Sequence, residues 1–263
     1  MPTVDLSGVT TQYELTGTGE PLVFIHGLGG RGGDWAPQVA HFQGRYRVLT
    51  YDVIGHGESA KPAAPYTLAQ FGRQAAELIR RVIGGPAHIV GLSMGGMIAF
   101  QLAVDAPDLV RSLTIVNSGP ELVPRTWQER YALWMRVFIL RVWGLEKLGR
   151  IIAERLFPSP AQHALKTRFL AEFLRNDRWA YLAATRALIG WSVQSRIGAI
   201  TVPALVVASD QDYTPPSRKE EYVRLMRHAK LVVVPDARHA LPIENPAKFN
   251  AVLDPFLAEL ASA

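Results

Sequence analysis

The chain has 263 residues, 48% of them hydrophobic, 19% charged and 9% aromatic, with 22 Gly and 18 Pro. That length predicts one large domain or a domain carrying an insertion, and the composition excludes disordered, collagenous, coiled-coil and low-complexity classes. The lack of cysteine excludes disulfide frameworks, Cys-ligated zinc, iron–sulfur clusters and thiol nucleophiles.

The net charge of +5 is unevenly spread. Residues 121–196 hold 13 Lys and Arg against 6 Asp and Glu, whereas the remainder holds 15 against 17. Five of the six Trp, at 127, 134, 143, 179 and 191, fall in that segment. The asymmetry predicts a core domain made of residues 1–120 and 197–263, interrupted by a separate module at 121–196. The opening MPTVDLSGVT has no basic stretch leading into an apolar one, so no secretory signal is read there and a cytoplasmic location is expected. The most apolar stretch, 131–143, is too short to cross a bilayer and carries Arg136 and Arg141, so no transmembrane helix is expected.

In chain order, residues 4–16 suit an antiparallel hairpin. Short apolar runs then predict strands at 21–26, 46–52, 87–92, 111–117, 203–209 and 230–236. Most are continuous Val, Ile and Leu without alternation, the pattern of strands buried on both faces of a parallel sheet. Helical periodicity at 67–83, 94–106, 216–227 and 246–260 places helices between them, as in an open α/β sheet with both faces covered. The module between Asn117 and Pro203 reads as three or four helices, with breakers at Gly144, Gly149, Pro158, Pro160 and Gly190. Open α/β sheets bind ligands at the carboxyl ends of their strands, so a helical module inserted at such an end is expected to act as a lid over the site.

The sharpest local signal is Gly91-Leu92-Ser93-Met94-Gly95-Gly96, a G-x-S-x-G between a strand and a helix. A serine on so tight a turn stands exposed at its tip, and the flanking glycines remove side chains that would collide there. A serine hydroxyl is a weak nucleophile until a histidine takes its proton and a carboxylate orients that histidine. Of the seven histidines, His239 lies in the loop after the last apolar strand, at the same sheet edge as Ser93. His26, His88 and His56 sit at strand ends or in a glycine turn, and His41, His163 and His228 on helix-like segments; these read as structural. The carboxylate is expected after the preceding strand, where both Asp210 and Asp212 stand.

These residues resemble the α/β-hydrolase fold superfamily over essentially the whole chain. The resemblance rests on the order Ser, Asp, His, on HGLGG at 26–30, on DVIGHGES at 52–59 and on the position of the helical insertion. It implies a mostly parallel sheet with helices on both faces and a lid after the sixth core strand. The family's acid motif, G-x-x-D-x-x-x-P, fits 209–216 with Ser209 in the glycine position and thereby selects Asp212 over Asp210. The resemblance also implies an oxyanion hole made by the backbone N–H groups of Leu28 and Met94.

The expected activity is that of a serine hydrolase cleaving a carboxylic ester or lactone through an acyl-enzyme, with Ser93, Asp212 and His239 as its catalytic triad. Within this branch the chain is similar to small esterases, enol-lactonases and cofactor-free haloperoxidases that act as perhydrolases; carbon–carbon bond hydrolases share the triad. Epoxide hydrolases and haloalkane dehalogenases of the fold place Asp where Ser93 stands. A reading of a different class is a ligand receptor that has kept the fold. No metal or organic cofactor is expected, because the Gly-rich stretches lack nucleotide-binding spacing and no ligand cluster such as H-E-x-x-H occurs.

Basic residues scattered through 121–196 read as a solvated face, so no nucleic-acid partner is expected beside the small-molecule substrate. Trp127, Tyr131, Trp134 and Phe138 form a helical stripe, a pattern that more often packs in a core. Yet 11 of the 13 residues at 131–143 are apolar, a surplus that could line an acyl pocket, join a second copy in a homo-oligomer or touch lipid.

Overall fold

The computed structural model describes residues 2–261. Its runs of Val, Ile and Leu become an eight-stranded sheet: β1 (Thr3–Leu6), β2 (Val9–Thr16), β3 (Glu20–Ile25), β4 (Tyr46–Tyr51), β5 (Ala87–Leu92), β6 (Val110–Val116), β7 (Ala204–Ser209) and β8 (Ala229–Val234). The spatial order is β1-β2-β4-β3-β5-β6-β7-β8. Strands β3 to β8 pair in parallel, while β2 runs antiparallel to β4 and to β1 as the leading hairpin.

Period-two alternation divides each central strand between two cores. Val23, Ile25, Ile89, Ala204 and Val206 face α2 (Leu68–Leu78) and α3 (Met94–Asp105). Leu22, Phe24, Val90, Leu205 and Val207 face α1 (Ala36–Phe42) and the C-terminal helix, which supplies Phe249, Leu253, Phe256 and Leu257. Burying each such side chain contributes about 1.5–3 kcal/mol, so the sheet is held from both faces. The molecule is thus an α/β fold with helices on both sides of a mostly parallel sheet.

Between β6 and β7 the chain forms a long kinked helix, α4 (Trp127–Leu156), then α5 (His163–Phe173) and α6 (Arg178–Leu188). The entry and exit of this segment are tied together: Leu122 N–H donates to the Trp191 carbonyl at 2.8 Å and Val193 N–H to that of Pro120 at 2.8 Å. Beyond it lie α7 (Pro216–Val223), α8 (Leu241–Glu244) and α9 (Pro246–Ala261).

Several local expectations need correction. Gly144 does break α4, at φ 76°, but Gly149 is no breaker. It sits buried inside the helix, where a Cβ would come within 2.8 Å of Phe173; the glycine is there so that α4 and α5 can touch. The helix expected at 216–227 ends at Val223, so His228 lies in a turn. The helix expected at 67–83 widens into a π-helical turn over its last five residues. The stripe of Trp127, Tyr131 and Trp134 is not core packing: these rings are 72%, 56% and 56% exposed. The inward side of α4 is carried instead by Leu140, Leu148, Ala153 and Leu156. A stripe in sequence specifies a helix face, but not which face the rest of the fold covers.

Candidate active site

The sheet order places a crevice before any side chain is considered. From β3 the chain crosses to β4 on one side and later to β5 on the other, and at such a switch point the loops leaving adjacent parallel strands diverge. Gly27 and Leu28 follow β3 and Ser93 follows β5, so both stand at this point.

Ser93 occupies φ 54° and ψ −116°, a conformation L-residues rarely adopt. Such strain, of order 1–3 kcal/mol, persists only where the surroundings over-determine it. Here Ser93 N–H donates to the Val116 carbonyl at 3.0 Å. Its own carbonyl accepts from the Gly96 and Met97 N–H groups at 2.9 and 3.1 Å, and from the Ser118 hydroxyl at 2.6 Å. The glycines are sterically required. A Cβ at Gly91 would lie 2.2 Å from the Gly95 carbonyl oxygen, and one at Gly95 would lie 2.1 Å from that of Ile25. Both obstacles are backbone and cannot swing aside.

His239 lies in the loop between β8 and α8, and its Nδ1 is 2.6 Å from Asp212 Oδ1. A carboxylate only accepts, so Nδ1 carries the proton and Nε2 is left as the basic nitrogen. The Tyr213 ring stacks on the imidazole with centroids 4.3 Å apart. Asp212 follows β7, and its side chain is only 1% exposed. Besides His239 it accepts from the Tyr213 N–H at 2.7 Å, the Thr214 hydroxyl at 3.1 Å and the Lys219 ammonium at 2.6 Å. Burial alone would raise its pKa, but the bond and charge of His239, and then those of Lys219, outweigh it and hold the carboxyl at about 2.

Asp210, two residues earlier, does something else. Its oxygens accept from the Asp236 and Ala237 N–H groups at 3.0 and 3.1 Å, clasping the loop after β7 to the loop that carries His239. Those bonds, the one from Ala237 first, draw its pKa below the usual carboxylate value.

Two contributors carry no sequence signal strong enough to single them out. Lys219, itself 1% exposed, donates to Asp212 Oδ2 and to both the carbonyl and the hydroxyl of Thr214, yet in sequence it is one charge in a charged stretch. Asn117, at φ 46° just past β6, donates to Ser209 Oγ at 2.8 Å and to the carbonyls of Arg238 and His239 at 3.2 and 3.0 Å. It thus pins the ends of β6 and β7 and the histidine loop to one another. Asparagine enters left-handed backbone more readily than most residues, which is the one hint the sequence offers.

Leu28 and Met94 flank the serine. Met94 opens α3, whose N-terminal N–H groups and dipole favour negative charge. The backbone just before Leu28 passes so close that a Cβ at Gly27 would touch Ser93 Cβ at 3.5 Å. His26 braces this loop. Its Nδ1–H donates to the Gly27 carbonyl at 2.8 Å while Nε2 accepts from Val53 N–H at 3.0 Å. The DVIGHGES stretch is a scaffold too: Asp52 accepts from the Gly32 and Glu58 N–H groups, and His56 is buried with its ring 5.2 Å from that of His26.

Ser93, Met94, Leu28, Asp212 and His239 all line one cavity of about 1400 Å³. Its outer wall comes from the segment between β6 and β7, including Ile139, Leu148, Ile152 and Phe169. That wall has its own apolar clusters. One joins Leu140, Leu148, Phe173 and Tyr181 to Leu28, the other joins Leu156 and Phe157 to Ala240, the neighbour of His239.

The buried histidines predict how the fold responds to acid. Burial lowers His26 to about 4; burial, with the charge of His26 adding to it, lowers His56 to about 3. Below pH 6.5 the unfolded chain takes up protons that the native imidazoles refuse, so stability falls as pH drops from 6.5 towards those values. At about 1.4 kcal/mol per unit, each histidine costs about 2–3 kcal/mol by pH 4.5. Asp34, raised to about 6 chiefly by burial, acts in the opposite sense between pH 6 and its unfolded value and returns part of that loss. Urea unfolding at pH 7 and pH 4.5 is therefore expected to show a net loss of stability, and His56→Phe should remove about half of the histidine contribution. A variant that loses as much as the wild type would refute this assignment.

The site and sheet together define an α/β-hydrolase. The family model described as alpha/beta hydrolase fold matches residues 20–246, and the chain belongs to that family. Among its relatives is the (E)-2-((N-methylformamido)methylene)succinate hydrolase of Acinetobacter baylyi, 30% identical over 94% of each chain. Another is the 3-oxoadipate enol-lactonase 2 of the same organism, 26% identical over 96% of this chain and 94% of that one. The crystal structure of the enol-lactonase from Burkholderia xenovorans superposes with a TM-score of 0.89 at 26% identity, covering 98% of this chain and all of that one. The protein is accordingly a hydrolase of this fold. Among its described residues no helix is long and apolar enough to cross a membrane.

Proposed function

We propose that the protein is a serine hydrolase that cleaves a carboxylic ester, a lactone or a closely related acyl compound through an acyl-enzyme. The observation that carries this reading is the bond from His239 Nδ1 to the buried Asp212, which leaves Nε2 basic in the cavity that Ser93 also lines. Ser93 Oγ attacks the carbonyl carbon as its proton passes to His239 Nε2. The Leu28 and Met94 N–H groups receive the developing oxyanion, and the positive end of α3 adds to their effect. Asp212 holds the imidazole in the required tautomer and stabilises the imidazolium; Lys219 and Thr214 in turn hold Asp212. The imidazolium then protonates the leaving oxygen, and water activated by the same nitrogen releases the acid. Residues 121–196 act as a lid that excludes bulk water from the cavity.

The relatives' names favour an acyl carbonyl as the reacting group, since they include an enol-lactonase and a hydrolase of an N-formyl compound. The experiment that tests the reading is covalent trapping. Incubation with a fluorophosphonate should add one phosphonyl group per chain, on the peptide that contains Ser93, and abolish turnover of p-nitrophenyl butyrate in step with labelling. Labelling elsewhere, or none while ester turnover proceeds, would overturn it.

A further inference from the structure

The cavity is lined by several arginines, and most are neutralised by carboxylates. Arg31 pairs with Glu172 at 2.8 Å, Arg125 with Glu121 at 2.6 Å, Arg175 with Glu58 at 3.2 Å and Arg218 with Glu129 at 3.4 Å. Arg136, Arg155 and Arg168 line the cavity too, and among the described residues no carboxylate pairs with any of the three. Arg155 and Arg168 are exposed, whereas Arg136, which projects from α4, is half-buried. Its one hydrogen bond runs from Nη2 to the Tyr181 hydroxyl, and the guanidinium lies 5.9 Å from that ring's centroid. Nε is buried without any partner.

A guanidinium with five donors, one of them desolvated and unpaired, is an unfavourable arrangement in the empty protein. It becomes more favourable when an oxyanion in the cavity accepts from the free terminal N–H groups and supplies a compensating charge. The position suits a ligand that also reaches the triad. Burial pushes the Tyr213 hydroxyl up to about 12 against the opposing charges of Arg136 and Arg155, so both arginines lie within electrostatic reach of the residue that stacks on His239. Apolar side chains, among them Ile139, Ile152 and Phe169, line the same cavity.

We infer that Arg136, held in place by the buried Tyr181 hydroxyl, forms a subsite for a carboxylate carried by the substrate, separated from the scissile carbonyl by a short apolar spacer. The substrate class is then a monoester or lactone of a dicarboxylic acid rather than a neutral ester. The reacting end of this assignment rests on the serine-hydrolase reading above; the anion subsite does not.

Two measurements separate them. In the first, kcat/KM is compared for mono-p-nitrophenyl glutarate, which is anionic, and for neutral p-nitrophenyl valerate. The wild type should prefer the anionic ester by about tenfold or more. Arg136→Met should lose about 10- to 100-fold on the anionic ester and less than about threefold on the neutral one, with Arg136→Lys between, as for a charged hydrogen bond removed from one substrate only. In the second, glutarate itself is titrated calorimetrically into wild type and Arg136→Met, a readout independent of turnover. Binding weakened about tenfold or more by the substitution supports the subsite even if every ester is inert. Equal losses on both esters, no preference by the wild type, or glutarate binding that is absent from or equal in both proteins would overturn it. Thermal melting of Arg136→Lys controls for loss of the Tyr181 bond.

Discussion

Ser93→Ala is expected to lower kcat/KM for p-nitrophenyl butyrate by about 10⁴- to 10⁶-fold while leaving the fold intact. That loss corresponds to about 5–8 kcal/mol of transition-state stabilisation. It falls short of total loss because the Leu28 and Met94 N–H groups and the cavity would still bind the substrate and its hydrated transition state. The fold should survive because the hydroxyl is not what holds the turn. The bonds at Ser93 run through its backbone to Val116, Gly96, Met97 and Ser118, and alanine keeps all of them. Alanine also keeps the strain of φ 54°, whereas glycine relieves it. Ser93→Gly should therefore be equally inactive yet more stable than Ser93→Ala by about 1 kcal/mol in urea titration. A Ser93→Ala protein that retains a tenth or more of wild-type turnover would remove the nucleophile from the mechanism.

The second large effect concerns the acid. Asp212→Asn should reduce turnover by about 10⁴-fold, because an amide that offers its NH₂ to His239 Nδ1 favours the wrong tautomer. It should also destabilise the protein by about 3–5 kcal/mol, because the Lys219 ammonium loses its buried counter-charge. Removing that charge as well, in Asp212→Asn with Lys219→Met, should recover much of the stability and none of the activity. A double-mutant cycle in urea titration and kcat/KM thus separates the two duties of the carboxylate. Asp210→Asn is the contrast. Its partners are two backbone N–H groups at the surface, so turnover should stay within about tenfold of wild type. If Asp210→Asn proves the crippling change and Asp212→Asn the mild one, the roles are reversed.

The difference between the two aspartates shows where legibility stops. They lie in one short loop, and residue type and position after a strand leave both open; only the resemblance of 209–216 to the family's acid motif favours Asp212. The choice is made by β8, which returns beside β7 and brings the histidine loop against them, so that Asp210 meets its backbone and Asp212 its imidazole. The ammonium on the far side of Asp212 comes from α7, seven residues on, where no local pattern marks Lys219 as buried. For Asn117 the sequence offers only the residue type's tolerance of left-handed backbone, since its partners lie 92 to 122 residues away.

Arg136 and the aromatic stripe of α4 tell the same story for the segment between β6 and β7. Periodicity makes 127–156 helical, but residues 131–143 carry more apolar side chains than one buried face requires. Only its contacts with α5, α6 and Leu28 determine that Leu140 and Leu148 turn inward, Arg136 lines the cavity and Trp127, Tyr131 and Trp134 stay in solvent.

What the sequence determined by itself was whatever local sterics and short-range periodicity dictate. Unbroken aliphatic runs specify strands buried on both faces, and the glycines around Ser93 specify a turn that no other residues can make. The fold fixed which lysine and which arginine come to the cavity, and which partner each of two neighbouring carboxylates meets. Those choices depend on groups far apart in the chain meeting in a dry space, where an unpaired charge or donor is costly and one well-placed partner removes that cost.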